Sequence, residues 1–177
     1  MTNILNKIKD AFVLGVLLIL AIWLSPFILI GAVIYLIYRI RKATLRKRLL
    51  KQIKQEWFPK GKHVFFLYSD SKKWKNYFEK ELAPKIQDKA VIWNWSTRQK
   101  DGWNEDLIEA KILSLFRPIG YFHPMAIVFL PSGEIKTFQF YTPYVNMLKS
   151  GKGDYEKIEK EFLALVQSIE KKKKYIS

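Results

Sequence analysis

Cysteine is absent from all 177 residues, which excludes disulfides, thiolate catalysis, Cys-based zinc sites and S-acylation. Histidine is nearly absent. His63 and His123 are too few for a His-rich metal site, so neither a metal nor a cofactor is expected. Acidic side chains are also scarce, sixteen against thirty-one Lys and Arg, for a formal net charge of +15. Anionic lipid and nucleic acid both attract such an excess, so its placement matters more than its size. Residues 1–60 hold eleven Lys and Arg against Asp10 and Glu56, a net +9, and residues 61–177 carry the remaining +6. Lys171 to Lys174 supply four of those, so the excess sits at the ends of a mildly basic body.

The chain's dominant feature is a long apolar run. Phe12 to Ile40 carries no charge before Arg39, and only Ser25-Pro26 interrupts its middle. This exceeds the ~18 apolar residues that flag a membrane segment and is too long for a signal peptide core. As one helix it would extend ~43 Å, against a hydrocarbon core of ~30 Å, so tilt or a kink at Pro26 is expected. The alternative is a re-entrant pair of half-length helices. Anchors of some monotopic membrane enzymes break at a Ser-Pro pair, and the run resembles them in that local pattern. Arg39, Arg41, Lys42, Arg46, Lys47 and Arg48 follow the run and mark a membrane-surface segment. Each basic residue near anionic lipid contributes about 1 kcal/mol, and the positive-inside rule puts this flank in the cytosol. The apolar neighbour favours lipid over nucleic acid as the partner.

The spacing of apolar residues then divides the chain. Residues 1–10 form a short N-terminal segment, 11–40 the membrane helix and 41–60 a basic juxtamembrane helix. In that helix Leu45, Leu49, Leu50 and Ile53 recur at three- and four-residue spacing, suiting either an interfacial helix or a solvated stalk. Pro59-Lys60-Gly61-Lys62 ends it. The folded domain covers 61–170, and 171–177 is a basic, frayed tail. His63–Tyr68, Ala90–Trp95 and Met125–Leu130 read as apolar strands, with Ile135–Phe140 as a hairpin partner across Pro131-Ser132-Gly133-Glu134. Ser69-Asp70-Ser71 caps a helix bearing Trp74, Tyr77, Phe78, Leu82 and Ile86. Asn104 caps a second helix closed by Pro118 and Gly120. A loop rich in Gly and Lys leads to a last helix from Asp154 through Ile158, Phe162, Leu165, Val166 and Ile169. The order β-α-β-α-β-β-α predicts an α/β fold in which parallel strands and right-handed crossovers end in an antiparallel hairpin.

That order resembles the minimal thioredoxin fold. Phe122-His123-Pro124-Met125-Ala126-Ile127-Val128-Phe129, followed by Ser132-Gly133-Glu134-Ile135, is similar to the family's passage of cis-proline, strand, glycine turn and strand. The resemblance spans roughly residues 61–170, with one extra residue in the turn. It implies a small thioredoxin-like mixed sheet with flanking helices, a cis His123-Pro124 bond and an active loop at Ser69–Trp74. Redox members carry Cys-x-x-Cys in that loop, whereas this chain carries Ser, Lys and Trp, which rules out dithiol exchange. The resemblance leaves a binding ledge made by Tyr68, Ser71, Trp74, His123, Pro124 and Met125.

Other groups offer less chemistry. Trp93 and Trp95 lie two apart on one strand face and, with Arg98 and Trp103, would form an aromatic binding patch or pack beneath a helix. Ser150-Gly151-Lys152-Gly153-Asp154 lacks the upstream Gly and following Ser or Thr of a phosphate loop. Asp101, Glu105, Asp106 and Glu109 suit a helix N-terminus. The expected function is a membrane-anchored, non-redox binding or assembly module facing the cytosol, a subunit or adaptor of a membrane protein complex. Membrane lipid and a protein are its expected partners, and no small-molecule substrate is identified. The alternative is a membrane-associated enzyme acting on a lipid-linked or membrane-proximal substrate through Asp70, Ser71 and His123.

Overall fold

The computed structural model describes residues 2–97, 104, 106–118, 123–151 and 154–174, with no side-chain description for 2–12, 17–22 and 170–174. The chain divides into two compact units, Met1–Leu45 and Arg46–Ser177. Helix α1 spans Thr2–Glu56 with Pro26 inside it. The helix is continuous through Ser25-Pro26, where the re-entrant alternative expected two separate half-length helices. Within the first unit, Trp23, Leu24 and every described residue from Phe27 to Ile40 are exposed, Trp23 at 73% and Phe27 at 69%. A helix that is apolar on all sides needs an apolar surrounding. Among the described residues, α1 is the one helix long and apolar enough to cross a membrane.

The second unit begins inside the basic stretch. Leu49, Ile53 and Trp57 are buried, Ile53 completely. They pack with Phe65, Leu67, Ile112, Ile127 and Phe129, so the segment is neither a solvated stalk nor an interfacial helix. Its three- and four-residue apolar spacing faces protein. Arg46 is likewise tied into the domain. Its Nε and Nη2 donate to the Leu115 carbonyl at 3.1 and 2.7 Å, and its guanidinium lies over the Phe116 ring.

The described strands form one four-stranded sheet in the order β2-β1-β3-β4, from β1 (Val64–Tyr68), β2 (Ala90–Asn94), β3 (Met125–Phe129) and β4 (Ile135–Gln139). β1 and β2 are parallel, whereas β3 runs antiparallel to both β1 and β4. The sequence reading extended parallel pairing too far. A helical connection was taken as a crossover, but β3 starts at the end where β1 finishes, with Met125 opposite Leu67. Strand alternation sends Phe65, Leu67, Met125, Ile127 and Phe129 to one face, with the end of α1 and α4 (Ile108–Phe116). Val64, Phe66, Ala126 and Val128 face the other.

That second face is covered by α2 (Lys75–Tyr77), a π-helical stretch Phe78–Leu82 and α3 (Ala83–Ile86), together with α5 (Tyr141–Ser150) and α6 (Tyr155–Lys174). α5 replaces part of the predicted loop. Pro143 lies in its first turn, where the missing N–H costs nothing. The first domain helix starts at Lys75, later than expected, because Trp74 and Lys75 donate backbone N–H bonds to the Ser71 carbonyl in a preceding turn. α4 ends at Phe116 because Arg117, before Pro118, is extended. α6 is helical through Lys174, past the predicted start of the tail, and residues 175–177 lie outside the described residues. Gly133, at φ 93, donates to the Leu130 carbonyl and closes the β3–β4 turn.

Burial of Ile53 gives a direct expectation. Ile53→Ala should cost about 2–5 kcal/mol and lower the thermal unfolding midpoint of the full-length chain in nanodiscs. Leu45→Ala, at a half-exposed position, should change stability by no more than about 0.5 kcal/mol. Equal midpoints for the two variants would show that the end of α1 does not belong to the domain core.

Candidate functional site

At the C-terminal end of β1 the chain turns through Ser69–Trp74 and meets the residues before β3. Ser69 Oγ and His123 Nδ1 are 3.3 Å apart. The Trp74 indole N–H donates to the Ser69 carbonyl at 3.1 Å, and its ring meets His123 and Tyr141 edge-on at 6.0 and 5.3 Å. The His123-Pro124 peptide bond is cis, and the Pro124 carbonyl accepts from Phe140 N–H. Tyr144 Oη donates to the Lys73 carbonyl at 2.8 Å, pinning the loop to α5. Backbone and side-chain bonds therefore fix this end of the sheet.

Burial changes the expected ledge. Trp74 is 4% exposed, Met125 is fully buried and Pro124 is buried, so these side chains belong to the core. Ser71 and Tyr68 are half-buried, and Tyr68 Oη donates to Glu79 at 3.3 Å. What the loop presents to solvent is His123 in part, half-buried Tyr141, exposed Lys72 and Lys73, and the exposed Asp70 carboxylate paired with Lys75. The void beneath it, of about 10 Å³, is no larger than one water molecule. Surface recognition suits this geometry better than enclosure of a substrate. Tyr141 was missed in the sequence because α5 was missed.

The acid–base candidates do not assemble as a hydrolytic set. The Asp70 carboxylate accepts from Lys75 Nζ at 2.8 Å and Asn94 Nδ2 at 2.9 Å. The Asp70 bond and charge hold the Lys75 ammonium above its usual range. Ser71 Oγ accepts from Lys73 N–H at 3.4 Å, and the serine beside His123 is Ser69, itself 7% exposed. Among the described residues, no three His, Asp or Glu side chains gather closely enough to hold a metal ion.

Trp93 and Trp95 are half-buried and pack against the cluster formed by α1, α4 and the sheet, with Trp93 6.2 Å from Phe65. Arg98 and Trp103, the other members of the expected patch, lie outside the described residues, as do Asp101, Glu105 and Phe122. A second polar cluster joins Tyr77, Tyr155 and Glu159. Tyr77 Oη donates to Glu159, which also accepts from Lys85 at 3.3 Å. Burial, then the neighbouring Glu159, raises the Tyr77 phenol, and burial likewise raises that of Tyr155. Both stay neutral and brace α6 against the opposite helices.

Comparison with protein families, curated proteins and solved structures gives no match, so functional assignment rests on the chain's own geometry.

Burial lowers the His123 imidazole below its ordinary value of 6.5. Folding therefore favours the neutral ring. The associated stability is complete above about pH 6.5 and is lost as pH falls through the lowered folded value. Acidification from about pH 7.5 to 5 should thus destabilise the natural chain more than His123→Gln, measured as unfolding midpoints at each pH. Parallel pH profiles would contradict the burial assigned to this ring.

Proposed function

We propose that this chain is a membrane-anchored, cytosol-facing binding or assembly module, with a thioredoxin-like domain that has no redox chemistry. The observation that carries the reading is the exposed apolar girdle of α1 from Trp23 to Ile40. Lipid would cover these side chains at a gain of roughly 25 cal/mol per Å² removed from water. Support for the thioredoxin-like reading comes from the strand order and directions, the helices on both faces and the cis-proline ahead of β3. With no cysteine, what such a scaffold offers is a rigid loop end on which His123, Tyr141, Lys72 and Lys73 meet a partner protein. Arg39, Arg41, Lys42, Lys47 and Arg48 supply the charge that would hold the C-terminal side in the cytosol. Arg46 has a different task, bonding Leu115.

Orientation and recognition are separately testable. In intact cells a C-terminal tag on the natural chain should resist external protease. Replacing Arg39, Arg41, Lys42, Lys47 and Arg48 with Gln, while keeping Arg46, should make a fraction of it cleavable. A natural chain already cleaved from outside would reverse the orientation. For recognition, a photo-crosslinking residue at Lys72 should give one discrete protein adduct in native membranes, and the same residue at exposed Glu161 should not. No adduct at Lys72, or the same adducts from both positions, would remove the binding role assigned to this loop.

A further inference from the structure

β1 has a second end. His63, immediately before it, lines a groove of about 730 Å³, within the range of about 300–1,000 Å³ usual for small-molecule sites. Phe58, Leu130, Leu165 and Ile169 supply apolar lining, and the Ser132 and Ser168 side chains add hydroxyls. His63 stacks obliquely on Phe58 with ring centres 4.3 Å apart. Glu134 and Lys136 stand at the groove as a loose pair, 3.8 Å apart and each about half exposed.

The walls are held by bonds that need no ligand. Leu130 N–H donates to the Glu134 carbonyl and Gly133 N–H to the Leu130 carbonyl, while Lys54 Nζ reaches the Pro131 carbonyl at 3.4 Å. His63 is held by its N–H bond to the Lys89 carbonyl and by the Phe129 N–H bond to the His63 carbonyl. Such preorganisation lowers the ordering cost of binding. Charge then selects the ligand class. An exposed pair as long as Glu134–Lys136 contributes little, so the Lys136 ammonium can exchange its partner for a ligand anion. In the sequence, Ile169 is followed by Glu170 and then Lys171–Lys174, a net charge of +3.

We propose that this groove binds a single-chain anionic amphiphile, its hydrocarbon chain along Phe58, Leu130, Leu165 and Ile169 and its carboxylate at Lys136. The site is separate from the His123 loop, because the two flank opposite ends of β1.

The test is a titration of the full-length chain in nanodiscs with decanoate, followed by methyl NMR. Saturable shifts are expected at Leu130, Leu165 and Ile169, with none at Leu67 in the opposite core. Ser168→Trp, which fills the groove, should abolish them. Lys136→Glu, at a side chain about half exposed and safe for folding, should weaken decanoate by about tenfold. The cationic analogue decylammonium should bind the natural chain more weakly than decanoate. An absence of saturable shifts would overturn the proposal. So would shifts that survive Ser168→Trp, or Lys136→Glu binding decanoate as tightly as the natural chain. Tighter binding of decylammonium would overturn the anionic class.

Discussion

The burial of Leu49, Ile53 and Trp57 against the sheet is the constraint on which the domain's architecture depends. Without these residues, α4 would be the one described helix left on the sheet face that carries Phe65, Leu67, Met125, Ile127 and Phe129. A sheet of this size needs apolar cover on both faces to offset the entropy of ordering its chain. The same helix α1 carries two kinds of surface along its length. From Phe27 to Tyr38 its side chains are uncharged, mostly apolar and exposed, and from Leu49 onward a narrow stripe is buried in protein. The fold begins inside the basic segment, so that segment has a structural duty as well as a charge.

Arg46 shows how the two duties separate. Arg46, Lys47 and Arg48 are all exposed, but Arg46 alone of the three is tied down, donating twice to the Leu115 carbonyl near the end of α4 and lying on Phe116. Carbonyls at a helix C-terminus lack intrahelical partners, and a cation placed there is favoured by the helix dipole. Substitution of all the basic residues together would therefore confuse topology with folding. The two ends of β1 divide in a similar way. One end is closed by Trp74 and the Ser69–His123 contact and presents a mostly polar surface, while the other opens into the groove lined by His63.

Much of this was legible in the residues. Short apolar runs such as Val64–Tyr68 and Met125–Phe129 located three of the described strands, alternation located β4, and helical periodicity served elsewhere. It located α6 through a clear stripe from Tyr155 to Ile169. Strand direction was less accessible, since β3 differs from a parallel strand only by where its preceding loop delivers it. α5 was absorbed into the loop rich in Gly and Lys that precedes the last helix. At the site, the sequence places Trp74 and Met125 on an exposed ledge, whereas both are buried; exposure is a tertiary property that sequence spacing does not encode. The same limit applies to the stripe at Leu49 and Ile53: a helical period says that one face is apolar, not whether lipid, water or protein meets it.

Amide hydrogen exchange along α1, in the full-length chain reconstituted in nanodiscs, tests the central claim most directly. Amides from Leu49 to Trp57 should exchange only as slowly opening core does, at the rate of β1 and β3, while those from Leu24 to Ile40 should be protected by lipid. Fast exchange at Leu49–Trp57 beside slow exchange in β1 would make the segment a stalk and contradict the shared-helix architecture. Fast exchange at Leu24–Ile40 would remove the membrane anchor.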